Sequence, residues 1–112
     1  MLTKDEIEEL DIHLFGSGAL SYPWYYDVDV NGDVITFTVM DPNDEAAQVV
    51  KKITYEDFFT AAKVLHTQPG WNDYGRAGFT NLYARNWDEL DLDADSADIV
   101  MQQAIYGEII FG

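Results

Sequence analysis

Cysteine is absent from this 112-residue chain, which excludes disulfides, thiolate nucleophiles and cysteine-based metal sites and leaves the redox compartment open. Basic residues are scarce, six Lys and Arg against 21 Asp and Glu. A surface of that sign is repelled by phosphate and by anionic lipid, so direct binding to DNA, RNA or a membrane is not expected. No apolar run approaches the roughly 20 residues of a membrane-spanning helix. The N-terminal stretch MLTKDEIEELDIHLF is acidic and amphipathic, unlike a signal or transit peptide. A cytoplasmic protein is the expectation.

What is present suffices for one domain. Hydrophobic residues make up 47% and aromatic residues 14% of the chain, enough for a core at this length and too short a chain for two. The formal charge of −15 strains any compact state through self-repulsion. It is also segregated: residues 1–50 sum to −10, residues 51–85 to +2 and residues 86–112 to −7. Part of the surface is therefore expected to be strongly negative.

The most informative stretch is WYYDVDVNGDVITFTV, Trp24 to Val39. Asn31-Gly32 predicts a type I′ hairpin turn, since both positions accept positive φ. A two-residue loop there pairs Val30 with Asp33, Val28 with Ile35, Tyr26 with Phe37 and Trp24 with Val39. Sorting the pairs gives an apolar face of Trp24, Tyr26, Val28, Ile35, Phe37 and Val39. The polar face carries Tyr25, Asp27, Asp29, Thr36 and Thr38, with Val34 the one misfit. Asp27 and Asp29 then stand roughly 6.5 to 7 Å apart on the outer face, close to the spacing of neighbouring phosphates.

Thr3 and Glu6 form a capping-box pattern for a helix from Lys4 to Leu14, with Ile7, Leu10, Leu14 and Phe15 as its apolar stripe. Asp41-Pro42-Asn43-Asp44 predicts a turn, and Ala46 to Ile53 a third strand. In that strand Val49 and Ile53 share a side against Val50, and Lys51 and Lys52 blunt the edge. Thr54 with Asp57 caps a second helix, Tyr55 to His66, burying Phe58, Phe59, Ala62 and Leu65. Glycines at 70, 75 and 78 predict a loop, then a short helix from Phe79 to Arg85. Ser96, or an aspartate beside it, caps a last helix from Ala97 to Tyr106 with Val100, Met101, Ala104 and Ile105 inward. Glu108 to Phe111 is compatible with a short strand or a tuck against the core. The expected fold class is α+β: a three-stranded antiparallel meander around the 24–39 hairpin, packed against three to four helices as a single domain, 1–112.

Catalytic patterns are thin. Asp27-x-Asp29-x-Asn31-Gly32 matches the first half of a calcium loop, but the later ligand positions fall on Ile35 and Thr38. His13 and His66 have no partner at metal-ligand spacing, and His66 suits a helix C-terminus. Ser17, Ser21 and Ser96 lack a nucleophile-elbow motif, and a carboxylate metal nuclease needs more basic residues to hold its substrate. The expectation is a protein that is not an enzyme, with no cofactor and no metal.

The segment WDELDLDADSADIVMQQAIYGEIIFG is similar to the endings of small acidic proteins, uncharacterised in function, of phages and mobile elements of actinobacteria. In charge and size the chain also resembles DNA-mimic inhibitors, the phage anti-restriction and anti-CRISPR proteins. That resemblance implies a partner with a basic nucleic-acid-binding surface, such as a restriction or CRISPR effector component. Three elements give their exposed positions to carboxylate with few neutralising bases, whereas a surface built for solubility intersperses both signs. The candidate partner-binding residues are Asp27, Asp29, Asp88, Glu89, Asp91, Asp93 and Asp95, with Glu8 and Glu9 behind them and Tyr25 as an exposed aromatic anchor. The alternative is a small structural or assembly protein of a phage or mobile element, acting through apolar contacts. A catalytic reading requires a pocket joining His13 or His66 to carboxylates.

Overall fold

The computed structural model describes residues 2–111. The elements run α1 (Lys4–Leu14), β1 (Tyr25–Asn31), β2 (Val34–Asp41), β3 (Asp44–Thr54), α2 (Glu56–Thr67), α3 (Asp73–Tyr83) and α4 (Ala94–Tyr106), with two 3₁₀ turns, Phe15–Ser17 and Ala19–Ser21, after α1. The strands form one antiparallel sheet in the order β1-β2-β3, so the expected α+β meander is the fold.

The hairpin closes one residue later than Asn31-Gly32 predicts. Its loop is Gly32-Asp33, with Asn31 opposite Val34, Val30 opposite Ile35 and Val28 opposite Phe37. Gly32 alone in the loop has positive φ, 67°, the signature of a Gly-first II′ turn rather than I′. The later turn gives Val30 and Val28 apolar partners, where the earlier one sets Val30 against Asp33. From Asp27 to Asn31 each partner moves by two residues, and with a side-chain period of two the facing survives there. Ile35, Phe37 and Val39 are fully buried, while Val34 pairs with Asn31 and Thr54 on the outer face near the tip.

At the other end of β1 a bulge between Tyr25 and Asp27 sets Tyr25, not Trp24, opposite Val39. The extra residue re-aims the chain. Tyr25 turns inward, and Tyr26 turns out, 44% exposed. Trp24 stays in the core, and its carbonyl accepts the Met40 N–H at 2.9 Å. On β3, Ile53 is buried and Val49 half-buried, whereas Val50 is 62% exposed, which resolves the two-sided pattern of that strand.

The helices cover the inner face. The capping box of α1 is formed, with Thr3 and Glu6 exchanging backbone and side-chain bonds at 3.1 Å, and Leu10 and Leu14 are fully buried. Phe15 lies 6.3 Å from Phe37 and 6.2 Å from Phe58, joining α1, the sheet and α2. The N-terminus of α2 differs from expectation. Tyr55 takes the cap position without a side-chain bond, and Asp57 reaches back to the Thr54 N–H at 2.8 Å. The Tyr55 hydroxyl donates instead to Asp11 of α1.

Two helix boundaries depart further. Residues 73–78 belong to α3 despite Gly75 and Gly78, both buried. A Cβ at Gly78 would stand 2.8 Å from Leu92 and 3.3 Å from the Asp91 carbonyl; the glycine lets the returning chain lie directly on the helix, and that packing outweighs its low helix propensity. Likewise α4 starts at Ala94, capped by Asp93, whose carboxylate accepts the Ser96 N–H at 2.7 Å. Ser96 is the third helical residue, not the cap.

Candidate functional site

The alternation of β1 places Asp27 and Asp29 on the sheet face turned away from the helices, both exposed. Asp29 shares its row with Thr36 and Lys52, and Asp27 with Thr38 and Val50. Positions i and i+2 on one strand lie roughly 6.5 to 7 Å apart, and one lysine stands two strands away. Tyr25, expected beside them as an exposed anchor, is inside. Its hydroxyl is buried with no hydrogen-bond partner among the described residues. Burial, then the neighbouring Asp98 charge, drives its pKa far up. The bulge is the cause, and nothing in the letters WYYD separates Tyr25 from Tyr26.

On α1 Glu8 is exposed, while Glu9 is half-buried and lies 3.3 Å from His13 one turn on. Nearby, Arg85 is held at φ 58° just past α3, 2.9 Å from Glu6, 3.6 Å from Glu56 and 4.3 Å over the Phe59 ring. The Thr3 backbone N–H, opposed by desolvation and aided by Arg85, holds the Glu6 carboxyl below its usual range. One of the chain's few cations thus ties the starts of α1 and α2 to the end of α3.

Residues 90–93 run back along α3 without helix or strand, with Leu90 and Leu92 buried and Asp91 and Asp93 exposed. Asp88 and Glu89 sit exposed in the preceding turn, and the Glu89 carbonyl accepts from Asn81 of α3 at 3.3 Å. The period of two in Glu89-Leu90-Asp91-Leu92-Asp93 is the signal that identifies this packing. Of the acidic run's carboxylates, Asp93 caps α4 and Asp95 accepts the Tyr22 hydroxyl. That bond is the largest cause of the Tyr22 pKa being pushed up to about 12. Asp91 is likewise the first cause raising the exposed Tyr74.

The structure thus brings Asp88, Glu89, Asp91, Asp93 and Asp95 together along α3 and into the start of α4. Asp27 and Asp29 stand apart from them on the outer sheet face, and Glu8 and Glu9 on α1. Among the described residues, none of Asp27, Asp29, Asp88, Glu89, Asp91, Asp93, Asp95 or Glu8 is in an ion pair. No three His, Asp or Glu among the described residues gather in metal-holding geometry, and no described helix is long and apolar enough to cross a membrane.

Asp98, the last carboxylate of the acidic stretch, is 6% exposed. It accepts the Trp24 indole N–H at 2.8 Å and a Gln102 amide N–H at 2.7 Å, and burial raises its pKa. Ala97, Asp98, Met101, Gln102 and Ile105 share one buried stripe of α4, so the inward face takes in two polar residues beside the apolar ones.

The buried tyrosines predict an alkaline limit to stability. Burial pushes Tyr106 up to about 12 and raises Tyr55 and Tyr25 further, whereas an unfolded tyrosine ionises near ~10. The folded chain keeps these protons longer, so this contribution is complete below about pH 10 and is lost as pH climbs through the raised values. Thermal midpoints should fall steadily above about pH 10, with the tyrosinate absorbance of Tyr25, Tyr55 and Tyr106 appearing only as the chain unfolds. Full tyrosine ionisation near pH 10 in a still-folded chain would contradict this burial.

Searches of protein-family models, of curated proteins and of solved structures find no match to this chain.

Proposed function

We propose that this protein is a non-enzymatic acidic inhibitor that works in the cytoplasm of a host cell by occupying the nucleic-acid-binding surface of another protein, a restriction or CRISPR effector component being the model partner. The observation that carries the reading is the set of carboxylates without ion pairs: Asp88, Glu89, Asp91, Asp93 and Asp95 beside α3, and Asp27 and Asp29 on the sheet. A groove arranged for phosphate is already complementary to fixed negative charge, which speeds encounter and competes with nucleic acid. The two groups stand on different faces, so the run beside α3 is the primary surface and the sheet pair the secondary one.

The test is displacement of labelled duplex DNA from a panel of purified restriction and CRISPR effector proteins, followed by fluorescence anisotropy. Displacement from at least one member is expected, weakening as salt rises from about 50 to 200 mM. The triple variant Asp88→Asn, Glu89→Gln, Asp91→Asn should weaken it roughly tenfold or more, and Asp27→Asn with Asp29→Asn by less. Displacement indifferent to both salt and neutralisation, or none from any member, would sink the proposal.

A second reading, assembly through apolar contacts, is favoured by one observation: Val50 is 62% and Tyr26 44% exposed. Such apolar exposure on a sheet face suits packing against another chain. Association of that kind strengthens with salt, so light scattering at low and high salt separates the two readings.

A further inference from the structure

The segment Tyr22-Pro23-Trp24 enters the sheet through a turn, the Tyr22 carbonyl accepting the Tyr25 N–H at 3.3 Å. It delivers the Trp24 indole to the Asp98 carboxylate on α4. The chain's end is drawn to the same place. Gln102 of α4 holds the backbone of Ile110 and Phe111, and the Phe111 ring stacks 5.8 Å from Trp24. Two adjoining cavities, of about 230 and 440 Å³, open here, and Tyr22, Asp98 and Phe111 line both. Glu45 borders the first and Asp95 the second.

The chemistry of the floor is unusual for a structural role. Asp98 is almost wholly buried, yet the groups bonded to it are a neutral indole and a neutral amide. The ion pairs among the described residues are all at His13 and Arg85, not here. A buried charge without a counter-charge is costly, and a neutral oxygen would accept the indole N–H as well. Each carboxylate oxygen receives one bond and retains a lone pair for another donor. Aromatic walls attract cations through their ring faces.

We propose that the cleft walled by Tyr22, Trp24 and Phe111 and floored by Asp98 binds a guanidinium group, the arginine side chain of a protein partner. A flat guanidinium lies against a ring and offers paired donors to a carboxylate, whereas an ammonium is a compact, strongly hydrated point charge. A metal ion fits less well, since no three acidic or imidazole groups converge among the described residues. The burial that raises the Asp98 pKa is what a bound cation relieves. This goes beyond the inhibitor reading: it requires one shaped cleft and one arginine, and either can hold without the other.

The experiment titrates N-acetyl-arginine methylamide into the ¹⁵N-labelled protein while the three indole N–H resonances are followed, with the citrulline and lysine counterparts as neutral and ammonium controls. The arginine probe should shift the Trp24 resonance saturably, in the millimolar range, and leave Trp87 unmoved; citrulline should bind at least about tenfold more weakly. Asp98→Asn should remove the response. Should that variant fail to fold, Tyr22→Leu removes one wall at the rim and should weaken the arginine response at least roughly threefold. Equal responses to arginine and citrulline, equal responses to arginine and lysine, or no shift at Trp24 would overturn the assignment. None of these outcomes depends on the DNA-displacement result, so the two proposals fail separately.

Discussion

Gln102→Leu should release the C-terminal residues from α4 and destabilise the whole domain by about 2–6 kcal/mol, the sum expected for four hydrogen bonds at about 0.5–1.5 kcal/mol each. The fully buried amide donates to Asp98 at 2.7 Å and to the Phe111 carbonyl at 2.9 Å, and accepts from the Ile110 and Phe111 N–H groups at 2.9 and 2.8 Å. Leucine nearly fills the space and satisfies none of these groups. Asp98 is left buried with the indole alone, which adds desolvation cost. The thermal midpoint should drop by roughly 10 °C or more for a domain of this size, and the Ile110 and Phe111 amides should exchange freely. An unchanged midpoint with those two amides still protected would show that something other than Gln102 fixes the chain's end.

Phe37→Ala is the second large effect, about 3–5 kcal/mol from lost burial and the cavity left behind. Phe37 is fully buried on the central strand, its ring 6.3 Å from Phe15 and 6.2 Å from Tyr25. Its neighbour Thr36 and the distant Val50 face the other way, so Thr36→Ser and Val50→Thr should each stay within about 0.5 kcal/mol. Total stabilities of about 5–15 kcal/mol leave the alanine variant close to unfolding. Urea denaturation of the three variants reads the facing of the sheet directly, and similar costs for Phe37 and Val50 would mean the two faces are misassigned.

Local rules located most of the elements. The capping box placed α1, because Thr3 and Glu6 act on backbone groups three residues away and need nothing else. Alternation found the faces of β2, and these survived a two-residue change of register because the period of a strand is two. The limits of α3 and α4 were less legible. Gly75 and Gly78 argued for a loop, and only the chain returning at 88–93 explains why glycine is tolerated there. Ser96 looked like a cap until Asp93 was seen to hold its N–H.

For the candidate site, composition established the excess of carboxylate and the chain order established its runs. Whether an acid is exposed, engaged or buried is a property of neighbours distant in sequence. Asp93 and Asp95 are tied to the start of α4 and to Tyr22, and Asp98 is sealed beneath Trp24. Tyr25 exchanged places with Tyr26 through a single bulge.

Charge, the start of α1 and strand periodicity are therefore written in the sequence itself, since each acts over a few residues or over the chain as a whole. Tertiary structure alone decided which aspartate lost its water, which tyrosine turned inward and where the last residues came to rest. Those outcomes depend on Trp24, Asp98, Gln102 and Phe111 meeting across up to 87 positions of chain, and no local pattern encodes such a meeting.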